Sequence, residues 1–224
     1  MKLIVFGATG GTGLQVVVRA LDAGHDVTAV VRDPARLGAG GAVGGAVGGA
    51  VGGDPRLTVV RGDVLEPATW RQDVGGHDAV LSCLGSRDRK HPTTVYSRGT
   101  SNIIDAMLGT GVRRLLCLSS AGLEIPPGTP LAQRLVTRLV IQRLYRYGYA
   151  DMAAMERLVK AGSVDWTIIR PPMLTDKPAT GHPRAAIDGH LEGLRSVSRA
   201  DLADYMIGHV EDRETWGRTV EVGS

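Results

Sequence analysis

Short apolar runs alternate along the chain with longer stretches whose apolar positions recur at helical spacing. That alternation predicts an α/β protein built on a parallel sheet. Strands are expected at Lys2–Phe6, Asp26–Val31, Leu57–Arg61, Ala79–Leu84, Arg114–Ser119 and Trp166–Arg170. Helices are expected at about Gly11–Ala23, Val95–Leu108, Leu131–Tyr147, Asp151–Ala161 and Ser198–Val210, with Ser198 as the N-cap of the last. Gly24 suits the left-handed end of the first helix. Thr219–Val222 reads as a short closing edge strand, and the whole as one domain over residues 1–224, a doubly wound parallel sheet with helices on both faces.

Residues 38–53 interrupt the pattern. A four-residue glycine, alanine and valine unit repeats there, and nine of the positions are glycine. Such a tract gains little from burial and loses much entropy on ordering, so a flexible surface loop between the second and third strands is expected.

Composition narrows the class. With 224 residues, 43% apolar and 22% charged, the chain can bury a core within one domain. Its apolar runs fall far short of the ~20 residues of a membrane span, and its first residues lack a secretory apolar stretch. A cytoplasmic location and no membrane partner are therefore expected. Cys83 and Cys117 sit in apolar runs and read as small buried hydrophobes, which excludes a disulfide framework and a cysteine-based zinc site. The six histidines are scattered, so no metal site is expected. The net charge of +3, without a basic block carrying interleaved aromatics, argues against a nucleic-acid partner. No dimer face is legible.

The segment Gly7-Ala8-Thr9-Gly10-Gly11-Thr12-Gly13 leaves the first strand and opens the first helix, which is the context a dinucleotide fingerprint requires. Gly7 permits the tight exit, Gly10 lets backbone approach a pyrophosphate, and Gly13 allows close helix–strand packing. The helix N-terminus offers free N–H groups and partial positive charge to phosphates. The fold expected is accordingly the Rossmann fold. At the end of the second strand, Arg32 stands where a ribose 2′-group would lie and Arg36 adds a second cation, favouring NADP(H) over NAD(H). Asp33 reads instead as capping the turn before Pro34.

The Gly-x-x-Gly-x-x-Gly spacing resembles the atypical branch of the short-chain dehydrogenase/reductase superfamily. That resemblance implies further site residues. Asp63 and Val64 would lie beside the adenine, although Asp63 equally suits a cap. Leu84 and Gly85 would border the cofactor beyond the fourth strand, with Ser119 and Pro171 beyond the fifth and sixth. Ser120 matches the superfamily serine that hydrogen-bonds substrate or nicotinamide. The usual Tyr-x-x-x-Lys proton-donor pair is absent, since no tyrosine has lysine four residues on. An acceptor that draws its proton from water, such as a flavin or quinone, fits that absence.

Leu84-Gly85-Ser86-Arg87, Pro92-Thr93-Thr94-Val95, Arg170-Pro171-Pro172-Met173 and Ser198-Arg199-Ala200-Asp201 extend the resemblance, over nearly the whole chain, to the flavin-reductase (biliverdin reductase B)-like and NmrA-like group. Glu156 stands where the flavin reductases carry histidine. It is a candidate proton relay if burial raises its pKa, or a partner of Arg157 or Lys160 on a helix face. Residues 171–197 are expected to cover a substrate pocket, and Arg170 either faces it or packs beneath it. The resemblance implies an NADPH-dependent reductase of a small planar acceptor. Its alternatives are a non-catalytic NADP(H) sensor and a reductase or isomerase of one pathway metabolite.

Overall fold

The computed structural model describes residues 1–38, 53–125, 128–129, 131–193 and 196–224. The expected loop at 38–53 lies, apart from its two end residues, outside the described residues.

Strands β1 (Lys2–Phe6), β2 (Asp26–Val31), β3 (Leu57–Arg61), β4 (Ala79–Ser82), β5 (Arg114–Leu118), β6 (Asp165–Arg170), β8 (Arg184–Ile187) and β10 (Arg218–Gly223) form one sheet in the order β3-β2-β1-β4-β5-β6-β10-β8. All neighbours are parallel except β10 with β8. The first six strands reproduce the doubly wound Rossmann order, in which the chain reverses direction across the sheet beside β1. A separate parallel pair joins β7 (Met173–Thr175) to β9 (Ser196–Ser198).

The central strands are buried on both faces, which is why they read as unbroken apolar runs. Leu3, Val5, Leu81 and Leu116 point to one face, where they pack with α1 (Gly11–Asp22) and α7 (Arg199–Gly208). Ile4, Phe6, Val80 and Leu115 point to the other, against α3 (Ser97–Thr110) and α6 (Arg146–Ala161). The short α2 (Ala35–Gly38) follows β2, and α4 (Leu131–Val136), a π-helical turn at Thr137–Ile141 and α5 (Gln142–Leu144) precede α6.

Three expectations are revised. The stretch expected to be helical to Tyr147 breaks at Tyr145, and a new helix runs from Arg146 straight through Gly148 to Ala161. The final strand is interior, because β8 from the expected covering segment 171–197 pairs with its outer side. That addition could not be read from Arg184–Ile187, a short and largely exposed run without alternation. The helix after β4 starts at Ser97, two residues later than expected, because Asp151 of α6 caps it: its carboxylate accepts from the N–H groups of Tyr96 (2.8 Å) and Ser97 (3.3 Å) and from the Ser97 hydroxyl.

Buried Arg114 ties β5 to the return toward β10. Its guanidinium donates to the Val210 carbonyl (2.6 Å), the Asp165 carbonyl (3.1 Å) and the hydroxyls of Thr167 (2.8 Å) and Thr215 (3.2 Å). Burial lowers its pKa to about 10.

Candidate functional site

The carboxyl ends of β1, β2, β4, β5 and β6 share one rim of the sheet, where ligands of open α/β sheets bind. At the end of β1, Gly7 turns with φ +77°, and a Cβ there would run into the Cys83 carbonyl. The Gly10 N–H donates to the Gly7 carbonyl at 2.9 Å. A Cβ on Gly13 would run into that same carbonyl, so the first turn of α1 lies directly on the strand exit. Helix α1 starts without a side-chain cap and with no acidic residue in its first turn. Its leading N–H groups thus face the rim with no carboxylate from their own turn to take them up, the arrangement that receives an anion. Thr12 is buried within that turn, and Thr9 is half-buried ahead of it.

One cation at this turn has no sign in the local sequence. Arg199, the first residue of α7, lays its side chain over Gly11, where a Cβ would meet its Nε at 2.8 Å. Its Nη1 donates to Asp176 Oδ1 at 2.6 Å. Only the packing of α7 on α1, through Arg19 to the Ala200 carbonyl (3.0 Å) and Asp204 (2.8 Å), brings residue 199 beside residue 11.

Arg32, directly after β2, and Arg36, in α2, are exposed, and neither enters an ion pair among the described residues. Asp33 between them is engaged locally, accepting from the Ala35 N–H at 3.1 Å. Further along the rim, Val64 and Leu84 close on Gly99 of α3, where a Cβ would meet each at 3.0 Å, and Asn102 Nδ2 donates to the Val64 carbonyl at 2.9 Å. Asp63 Oδ1 accepts from the Leu65 N–H at 2.9 Å, so the carboxylate caps its own turn. Gly85 is exposed, with open space where a side chain would stand.

At the ends of β5 and β6 the structure brings Ser119, Ser120, Glu156, Arg170 and Pro171 together. The Ala121 N–H donates to the Pro171 carbonyl at 3.0 Å, tying the two strand exits. Ser120 Oγ accepts from the Gly122 N–H at 3.2 Å and caps the short turn at Ala121–Leu123. The Tyr149 hydroxyl packs against Gly122, leaving no space for a Cβ there. Ser119 Oγ donates to Glu156 Oε1 at 2.6 Å. Arg170 grips the same carboxylate twice, Nε to Oε1 at 2.8 Å and Nη2 to Oε2 at 2.5 Å, and also reaches Glu124 at 2.9 Å.

This grip corrects the relay role of Glu156, which required burial to raise its pKa. Burial does push the carboxyl up, but hydrogen bonds from Arg170 and Ser119 outweigh it and hold the group below its ordinary value of 4.5. The residue is an ionised structural anchor. Nor does it lie on an exposed helix face: it is buried, and Lys160 touches its outer oxygen at 3.4 Å. Arg170 accordingly packs beneath the rim.

Asp201, fully buried, holds part of the covering segment in place. It accepts from the N–H groups of Thr180 (2.8 Å) and Gly181 (3.0 Å) and from the Ser198 hydroxyl (2.9 Å). Ser198 in turn caps α7 by accepting from the Asp201 N–H.

Sheet order, glycine turn and bare helix N-terminus together define a Rossmann dinucleotide-binding domain. Comparison with known proteins is specific: the chain belongs to the NAD(P)H-binding family, which it matches over residues 7–213. An uncharacterised chloroplastic protein of Arabidopsis thaliana is 30% identical over 99% of this chain and 76% of its own length. Two further curated relatives are longer, and the chain spans 31% of one and 64% of the other. Among solved structures, a short-chain dehydrogenase/reductase of Veillonella parvula in complex with NADP superposes with TM-score 0.75 at 18% identity, covering 100% of this chain and 94% of that one. A Streptococcus pneumoniae protein assigned provisionally as an NADH-flavin reductase superposes with TM-score 0.73 at 20% identity, covering 100% and 99%. Among the described residues, no helix is long and apolar enough to cross a membrane.

Proposed function

We propose that the chain is an NADPH-dependent reductase that passes hydride to a small planar conjugated acceptor of the flavin or quinone class. The observation that carries this reading is the glycine turn: an uncapped helix start with no acidic residue in its first turn, and, just beyond the neighbouring strand, two exposed arginines that enter no ion pair among the described residues. Those residues fit a dinucleotide that bears an extra phosphate. The N–H groups of Gly11, Thr12 and Gly13 would hold the pyrophosphate, with Thr9 and Arg199 beside them. Arg32 and Arg36 would take the 2′-phosphate by charge-assisted hydrogen bonds. Asp63, Val64, Leu84 and Gly85 would border the adenine half. Ser119, Ser120 and Pro171 would border the reacting half, with Ser120 offering a hydroxyl that is not committed to Glu156.

The bound cofactor supplies hydride. What the chain supplies is position: the buried carboxyl at this end of the site, Glu156, is held below its ordinary pKa by Arg170 and Ser119 and so does not serve as an acid. A flavin or quinone tolerates that arrangement, since water can protonate it once reduced. The provisional NADH-flavin reductase assignment of the Streptococcus pneumoniae neighbour supports the flavin acceptor, and the NADP held by the Veillonella parvula one supports the phosphorylated cofactor.

The test is loss of NADPH absorbance on adding FMN or a short-chain benzoquinone to the purified protein. Acceptor-dependent oxidation is expected with at least one of them. Tight NADPH binding with no turnover of either would overturn the reductase reading and favour a sensor.

A further inference from the structure

The segment leading into α6 differs from the rest of the surface. Across α4, the π-helical turn and α5, Leu131, Leu135, Leu139 and Leu144 are exposed at 83%, 58%, 57% and 52%. Other exposed large apolar side chains, such as Val59, Leu108 and Ile187, come from separate elements, as on ordinary surfaces. Four within one helical segment form a patch, and such patches mark interaction sites. Leu131, Leu135 and Leu139 stand four residues apart and make one row. Exposed Arg134 and Arg138 make the row beside it.

Charge identifies what the patch fits. Residues 131–150 contain four arginines and no acidic residue, whereas the whole chain carries a net +3. The positive excess of the molecule is therefore gathered on the segment that exposes its leucines. Arg134, Arg138, Arg143 and Arg146 make no ion pair among the described residues. Arg89 from the loop after β4 adds a further cation, its guanidinium 4.7 Å from the Tyr145 ring. A second copy docked through a two-fold axis would set these arginines against their own equivalents, which opposes that occupant. An apolar row edged by guanidinium groups matches the boundary between acyl chains and anionic headgroups, with leucines immersed and arginines at phosphate level.

We propose that residues 131–146 are a docking surface for an anionic lipid membrane, on which the protein lies without crossing it. The expectation of no membrane partner rested on the lack of a spanning segment, which does not bear on a helix lying in the interface. The surface adjoins the rim of the sheet: Gln142 Nε2 donates to the Gly122 carbonyl at 3.3 Å, on the turn that Ser120 caps. The inference stands whether or not the chain proves to be a reductase.

Flotation of the full chain with vesicles of phosphatidylcholine alone, or enriched in phosphatidylglycerol, tests it. Binding is expected to the anionic vesicles only, and to fall as salt is raised. Arg134→Gln with Arg138→Gln should weaken it about 25-fold, since each surface arginine contributes about fivefold at an anionic leaflet. Leu135→Gln with Leu139→Gln should weaken it about tenfold or more. Both variants should keep the native melting temperature, since all four side chains are exposed. No flotation with anionic vesicles, equal flotation with neutral ones, or undiminished binding by either variant would overturn the proposal. So would a leucine variant that converts a solution dimer to monomer, which would assign the row to a second copy.

Discussion

Replacing Glu156 by glutamine tests the anchor beneath the rim of the sheet. The carboxylate and Arg170 are 6% and 9% exposed, so the ion pair is desolvated on both sides. Glutamine keeps the shape and one acceptor oxygen but turns an N–H₂ group toward the guanidinium. Arg170 would then rely on Glu124, whose side chain is 55% exposed and whose attraction is correspondingly screened. Removing one partner of a buried pair costs about 3–5 kcal/mol. The oxygen that glutamine retains places Glu156→Gln at the lower end, about 3 kcal/mol, or roughly 6–12 °C in Tm for a chain of this size. Arg170→Met should cost a similar amount, because Glu156 would keep only Ser119 and the half-exposed Lys160. Combined, the two changes should cost less than their sum by about 2 kcal/mol, since neither charge is then stranded. Urea denaturation of the four proteins measures the cycle. A loss under about 1 kcal/mol for Glu156→Gln, with no coupling, would refute the reasoning.

Other substitutions probe the glycine turn and the titration of the same anchor. Gly13→Ala places a methyl against the Gly7 carbonyl, backbone on both sides, and should cost about 1–3 kcal/mol of stability and abolish detectable NADPH binding by calorimetry. Arg32→Gln should weaken NADPH binding about 10- to 100-fold, the worth of one charge-assisted hydrogen bond, and leave NADH binding unchanged in the same titration. Because the folded-state pKa of Glu156 is depressed, the stability it contributes is fully present above the ordinary value of 4.5 and is lost as pH falls through the folded value. Thermal melts from pH 7 downward should therefore show native protein losing stability below about 4.5 more steeply than Glu156→Gln.

The central strands and the glycine turn were legible because their cause is local. Leu3–Phe6 is a continuous apolar run because both of its faces are covered, and Gly7 to Gly13 announce a turn that only glycine can make against a carbonyl. Features set by distant parts of the chain were not legible. Nothing near residue 199 shows that Arg199 will lie over Gly11, since the packing of α7 on α1 decides it. Asp151 looks like an ordinary helix residue until it caps α3, 54 residues earlier in sequence. Glu156 could be read as relay or surface charge, and the choice depended on Arg170 arriving from the next strand. The sheet edge at Arg184–Ile187 was hidden for a related reason: a short exposed strand carries no apolar alternation, and its partner β10 lies more than 30 residues further along the chain.

The most direct measurement is isothermal titration of the purified chain with NADPH and, separately, NADH. The expected result is saturable binding of NADPH with NADH weaker by about 10- to 100-fold, the discrimination that one guanidinium on a 2′-phosphate provides. Binding of neither nucleotide, or a preference for NADH, would contradict the assignment of the glycine turn and Arg32 to an NADPH site.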